Sequence, residues 1–337
     1  MNIYVLGTSN SIMQGNYTTA LRQQHTVFNI SVGRSPVLLH IKTLLDKKEE
    51  IEEGDLLIID HYINDMMSYA SDYGADYRVY VEDLYKLLSS LNINVINLLF
   101  PIKRYKKHKN HAYYHSIIEL SKKYRITLLD LNNSAFVDSD FFNDTHLINE
   151  KSYEFGLWLS NELSQLEWRK PREGAVTQSP YTLLKIQSLG INRPVRHFYN
   201  SLVNINFLRI RETIELDTTE LGDLIGFGYF RKDSSCDGLL INEVPIVTSY
   251  NGYFVDIFNK KFPATPKLVI KPLEIEGGFH CQNKFEFIQG QFKGAKLVEL
   301  IFRKDSELLV KESKHYRVAL NYVSPTSTEQ PVSLLKP

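Results

Sequence analysis

Four short stretches of this 337-residue chain carry side chains suited to chemistry, and each follows a predicted strand. They are Gly7-Thr8-Ser9, Ser31-Val32-Gly33-Arg34-Ser35, Tyr62-Ile63-Asn64-Asp65 and Asn143-Asp144-Thr145-His146-Leu147. Ser9 is the candidate nucleophile. An apolar run, Ile3 to Leu6, ends at Gly7, and a polar turn follows before a helix-like pattern opens at Ile12. Strand, tight turn and helix start place one hydroxyl where backbone N–H groups point outward. A serine hydroxyl is a weak nucleophile until an imidazole takes its proton, and His146 supplies an imidazole further along. The plainer alternative is that Ser9 or Asn10 only caps the helix, and Ser11 is the rival nucleophile.

The elements that must position these residues alternate. Strands are predicted at Ile3–Leu6, Val27–Ile30, Leu56–Ile59, Val95–Phe100 and Ile126–Leu131. Between them, apolar residues recur at helical spacing, as in Tyr77, Val81, Leu84 and Leu88. A last helix carries Phe155, Leu159, Leu163 and Leu166. Such alternation predicts an α/β unit, a doubly wound parallel five-stranded sheet with helices on both faces. Sites in that architecture lie beyond the carboxyl ends of the strands.

The order Ser, Gly, Asn, His at successive strand ends resembles the SGNH (GDSL-type) hydrolase and acyltransferase superfamily. The resemblance covers residues 1–166. It implies a flavodoxin-like fold, Ser9 as nucleophile and His146 as general base. It further implies an oxyanion hole made by the Ser9 and Gly33 N–H groups and the Asn64 side chain. Three positions depart from the family's pattern: Thr8 stands where Asp is usual, Tyr62 where Gly is usual, and Asn143 where Asp is usual. Asp144 lies one residue closer to His146 and is expected to orient it, with Asn143 or a backbone carbonyl as alternatives. The activity implied is cleavage of an O-acyl ester, with O-acetyl on a carbohydrate or polysaccharide as the expected substrate. A second reading is an O-acetyltransferase that draws on acetyl-CoA to modify a surface polysaccharide. A third is a non-catalytic glycan-binding protein. No cofactor or metal is expected.

Composition bounds the alternatives. Net charge is zero, so no global field recruits nucleic acid, and Cys236 and Cys281 are too few for a disulfide framework. No apolar run reaches the ~18 residues of a membrane span, and no signal-peptide pattern opens the sequence, so a cytoplasmic protein is expected. Residues 167–180 read as a linker rich in charge, Pro and Gly. From 181 to 325, short β-branched and aromatic runs separated by turns predict a β-sandwich or jelly roll, with 326–337 as a tail. Tyr316 to Tyr322 is read as that domain's last strand, and Tyr250, Tyr253, Phe254, Phe258 and Phe279 as a candidate sugar-stacking platform. The run Lys103–Lys109 is a candidate anion site at the rim, and Arg34 a candidate substrate contact. Asp60 and His61 are read as structural, or as a second acid–base couple.

Overall fold

The computed structural model describes residues 2–68, 74–103, 111–134, 136–166, 174–189, 194–200, 203–232, 236–248, 250–274, 276–280, 287–311, 320 and 322. Two compact units divide the chain. One comprises Met1–Ser71, Asp76–Val176 and Val310–Pro337, and the other Asp72–Ala75 and Thr177–Leu309.

The first unit is built on five strands: β1 (Asn2–Leu6), β2 (Thr26–Asn29), β3 (Leu56–Ile59), β4 (Asn94–Leu99) and β5 (Thr127–Asp130). All are parallel, in the order β2-β1-β3-β4-β5. Every residue of β3 and β4 is buried, which is why both read as unbroken apolar runs, whereas edge strand β2 shows alternating exposure. The helices are α1 (Ser9–Ile12), α2 (Tyr17–Leu21), α3 (Val37–Lys47), α4 (Tyr62–Ser68), α5 (Gly74–Ser90), α6 (Ala112–Lys123) and α7 (Asn149–Gln165). The strand order reverses between β1 and β3, so the crevice at their carboxyl ends is where the topology opens a binding site.

Helix α7 lies directly on α2. A Cβ at Gly156 would sit 2.5 Å from the Tyr17 carbonyl oxygen and 2.6 Å from its Cα, so only glycine permits this approach. The Tyr17 N–H donates to Ser152 Oγ at 3.2 Å, and the rings of Tyr17, Phe100 and Phe155 pack with centroids 5.3 to 6.0 Å apart. Tyr322 completes this apolar face. Its ring is 5.2 Å from Phe155 and 5.0 Å from Trp158, and its carbonyl accepts from Ser134 Oγ at 3.0 Å. The sequence assigns Tyr322 to the β half, yet it packs on the first unit, because aromatic partners there accept a large ring. Residues 312–319 of that expected strand lie outside the described residues.

The second unit is a sandwich of two six-stranded sheets. One has the order β10-β11-β20-β13-β16 with β9 on β20, and the other β12-β17-β14-β19-β18 with β15 on β14. The strands are β9 (Tyr181–Lys185), β10 (Arg196–Tyr199), β11 (Asn204–Arg209), β12 (Ile214–Asp217), β13 (Asp223–Arg231), β14 (Cys236–Ile241) and β15 (Val244–Thr248). They continue with β16 (Gly252–Phe262), β17 (Lys267–Pro272), β18 (Glu276–His280), β19 (Phe287–Gly294) and β20 (Lys296–Arg303). Leu208, Phe227, Phe258 and Leu300 of one sheet and Ile214, Leu239 and Ile270 of the other share one core. The pairing is antiparallel except between β14 and β19. Tyr253, Phe254 and Phe258 are buried here and Tyr250 packs against the same core, so four of the five aromatics expected as a sugar platform are packing residues. The side chains of Phe279, Cys236 and Cys281 lie outside the described residues. The expected linker contains a strand, β8 (Ala175–Gln178), which pairs with β21 (Leu309–Lys311), the Thr177 hydroxyl donating to the Leu309 carbonyl at 3.0 Å. No helix among the described residues is long and apolar enough to cross a membrane.

Candidate active site

The turn after β1 gives each hydroxyl a different task. Thr8 occupies the N-cap position of α1, but its hydroxyl donates to Asp60 Oδ2 at 2.8 Å and accepts no bond from the helix N–H groups. Ser9, the first residue of α1, is partly exposed, and its Oγ lies 2.6 Å from His146 Nε2. Ser11 is fully buried and bonded to the Tyr17 hydroxyl at 2.7 Å, which removes it as a rival nucleophile. Asn10 ties the two halves of the site together, donating from Nδ2 to the Thr145 carbonyl at 3.0 Å.

His146 opens β7 (His146–Leu147), which forms a hairpin with β6 (Phe141–Asn143). Asn143 and His146 stand opposite each other in that hairpin, so their side chains share a face. Asn143 Oδ1 is 2.8 Å from His146 Nδ1, and it also accepts from the backbone N–H groups of Thr145 and His146, both at 3.0 Å. Asp144 was expected to face Nδ1 but sits in the turn, where its carbonyl accepts from the Lys103 N–H at 2.9 Å. The place against the imidazole belongs to Asn143. Thr145, which the sequence did not single out, adds its hydroxyl at 3.2 Å from Nδ1.

These contacts determine the tautomer. Two backbone N–H groups can meet only an acceptor, so the amide oxygen of Asn143 is the atom that faces them and Nδ1. Nδ1 must then carry the proton, leaving the Nε2 lone pair for the Ser9 hydroxyl. Burial holds the imidazole below its ordinary 6.5, keeping it neutral and able to accept a proton at neutral pH.

The other two blocks supply donors. Gly33 follows β2 at the edge of the crevice, and a Cβ there would press on Ile12 Cδ1 of α1 at 3.0 Å, so glycine lets this loop lie against the Ser9 helix. Asn64 lies in the first turn of α4, and its Nδ2 is a buried donor without a partner among the described residues. A buried donor of this kind costs free energy unless an incoming oxygen accepts from it. Arg34 is exposed, with φ 57°, and the stretch 104–110, which holds most of the expected basic rim, lies outside the described residues.

Beneath the site, Asp60 and His61 do not form a couple. Asp60 accepts from the Thr8 hydroxyl and, at 3.4 Å, from its N–H; burial pushes its carboxyl up to about 6. His61 Nδ1 is 3.2 Å from Asp65 Oδ2. Asp65 also accepts from the Val37 N–H and the Tyr113 hydroxyl, both at 2.9 Å, and from the Tyr77 hydroxyl. All three residues are fully buried, so they brace β3, α3 and α4 from below. Among the described residues no group of three His, Cys, Asp or Glu side chains is placed to hold a metal ion.

Solved structures similar to this chain include esterases and proteins of the lipolytic G-D-S-L family. An acetyl xylan esterase shares 15% identity at a TM-score of 0.37, covering 49% of this chain and 98% of its own. A G-D-S-L family member from Veillonella parvula shares 13% at 0.40, covering 49% and 100%. Est24, a carbohydrate acetylesterase from Sinorhizobium meliloti, shares 11% at 0.38, covering 49% and 99%. No family model matches the chain, and no curated protein matches it.

Proposed function

We propose that this protein is a serine esterase that cleaves short O-acyl esters through an acyl-enzyme. One observation carries the reading: a partly exposed serine hydroxyl lies 2.6 Å from Nε2 of a histidine whose Nδ1 faces the Asn143 side chain. Ser9 Oγ attacks the ester carbonyl carbon while its proton passes to His146 Nε2. The carbonyl oxygen becomes an oxyanion, held by the N–H groups of Ser9 and Gly33 and by Asn64 Nδ2. His146 returns the proton to the departing alkoxide, the carbon–oxygen bond breaks, and the acyl group remains on Ser9. A water molecule, deprotonated by His146, then attacks the acyl carbon. Collapse of that second intermediate releases the carboxylic acid and restores the Ser9 hydroxyl. An O-acetylated carbohydrate as substrate follows from the resemblance of the four motif blocks and extends the reading to a natural ester.

The test is turnover of p-nitrophenyl acetate with intact-mass analysis, in wild type and Ser9→Ala. We expect hydrolysis and a +42 Da (roughly one acetyl group) adduct that both require Ser9, with the melting temperature nearly unchanged in the variant. Wild-type protein inert to the ester, or hydrolysis that survives Ser9→Ala, would sink the proposal. An adduct formed from acetyl-CoA and passed to a sugar would move the reading from hydrolysis to transfer.

A further inference from the structure

The residue that faces the far side of the general base is uncharged. Asn143 Oδ1 takes four contacts: His146 Nδ1 at 2.8 Å, the N–H groups of Thr145 and His146 at 3.0 Å each, and the Thr145 hydroxyl at 3.3 Å. The two backbone bonds come from the turn that carries the imidazole, so the same atom that shapes the loop also sets the ring's rotation. The imidazole's hydrogen-bond partners are Ser9, Asn143 and Thr145, all neutral. Where a carboxylate orients a histidine, it does two jobs: it fixes the tautomer, and its charge stabilises the imidazolium that forms during attack. An amide oxygen held by two backbone donors can do the first job and not the second.

Resting on the proposed esterase reading, we propose that Asn143 is the positioning residue of this site. It fixes His146 as the Nδ1–H tautomer aimed at Ser9 without lending it charge, and Asp144 takes no part. The general base is thereby selected by geometry alone. Its imidazolium gains no anionic partner, so His146 stays unprotonated, and competent, to lower pH than a carboxylate-paired histidine would.

Two readouts test this on the full chain. The first needs no turnover: the nitrogen shifts of His146 in the wild-type protein should report Nδ1 protonated and Nε2 bare, and the reverse pattern would overturn the proposal. The second compares Asn143→Asp and Asp144→Asn. Asn143→Asp keeps the acceptor oxygen for both backbone donors and adds only charge. It should raise the His146 pKa, and with it the acid limb of the kcat/KM profile for p-nitrophenyl acetate, by about 1–3 pH units. Asp144→Asn should leave both in place. No movement in Asn143→Asp, or a downward movement of that size in Asp144→Asn, would show that the imidazole is paired elsewhere. Asn143→Ala should lower kcat by on the order of 10²-fold with little change in KM, since ring placement is lost while the substrate's other contacts remain. If the titration moves as expected and no variant turns over any ester, the positioning claim stands and the esterase reading falls.

Discussion

Asp60 and His40 make opposed demands on the pH stability of the first unit, and Asp60→Asn should expose them. Asp60 is fully buried, with its carboxyl pushed from 3.8 up to about 6 chiefly by burial, the Thr8 hydrogen bonds opposing. Between about pH 4 and 6 the native protein therefore keeps a proton that the unfolded chain has released, so stability falls as pH rises through this window. At about 1.4 kcal/mol per pH unit, the loss approaches roughly 3 kcal/mol and is complete above pH 6. His40 is also fully buried, and burial drives it from 6.5 down to about 4, with the neighbouring His61 adding to the effect. There the unfolded chain holds the extra proton, so stability rises from about pH 4 to 6.5, again by roughly 3 kcal/mol. The two slopes nearly offset each other in the wild type. Asp60→Asn retains an oxygen for Thr8 and places an amide where Oδ1 now lies without a partner, a cost that does not vary with pH. Urea unfolding at pH steps from 4 to 7 would measure this. Trp158 lies in α7 of the first unit, so its fluorescence reports on that unit. The stability of Asp60→Asn relative to wild type should climb by about 3 kcal/mol between pH 4 and 6. A difference that is flat with pH would refute the assignment of a buried, late-ionising carboxyl beneath Ser9.

Two further outcomes follow from geometry already described. Asn64→Ala should lower kcat on p-nitrophenyl acetate by about 10²–10³-fold, the usual cost of one oxyanion donor, while urea unfolding changes little. Gly156→Ala should destabilise the first unit by roughly 1–3 kcal/mol, because the new methyl group meets the Tyr17 backbone. The sign is diagnostic, since the same change in an uncrowded helix interior would stabilise by about 0.5–1 kcal/mol.

The sheet was legible because β1, β3 and β4 are buried on both faces and appear as continuous apolar runs, and because Gly7 and the polar residues after it mark the turn. That Ser9 and His146 come together was legible from residue type and placement at strand ends. The partner of the imidazole was not. Whether Asn143 or Asp144 faces Nδ1 depends on the register of a two-residue turn, and one step in register moves a side chain to the other face. The Thr8–Asp60 contact joins residues far apart in sequence across neighbouring strand ends, where no local pattern marks it. In the β half, the residues from Ile205 to Leu216 supply β11 and β12 to different sheets, a break that similar apolar content on both sides does not mark. Aromatic residues that looked available for sugars were needed for the sandwich core, a distinction that composition does not carry.

The glycine contact between α2 and α7 also sets a timetable. Ser9 lies at the start of the first unit, and the imidazole it needs arrives 137 residues later, on the hairpin that leads into α7. Nothing local can assemble the pair. The hairpin is held to the Ser9 turn by Asn10, and α7 is held to α2 by backbone packing at Gly156. Closing so long a loop is among the slower steps available to a parallel sheet. A refolding chain would thus regain its central strands before Ser9 and His146 meet, and a ribosome-bound chain would carry Ser9 without that imidazole until the hairpin before α7 had emerged. In a chain that has not closed this loop, Ser9 has no imidazole beside it.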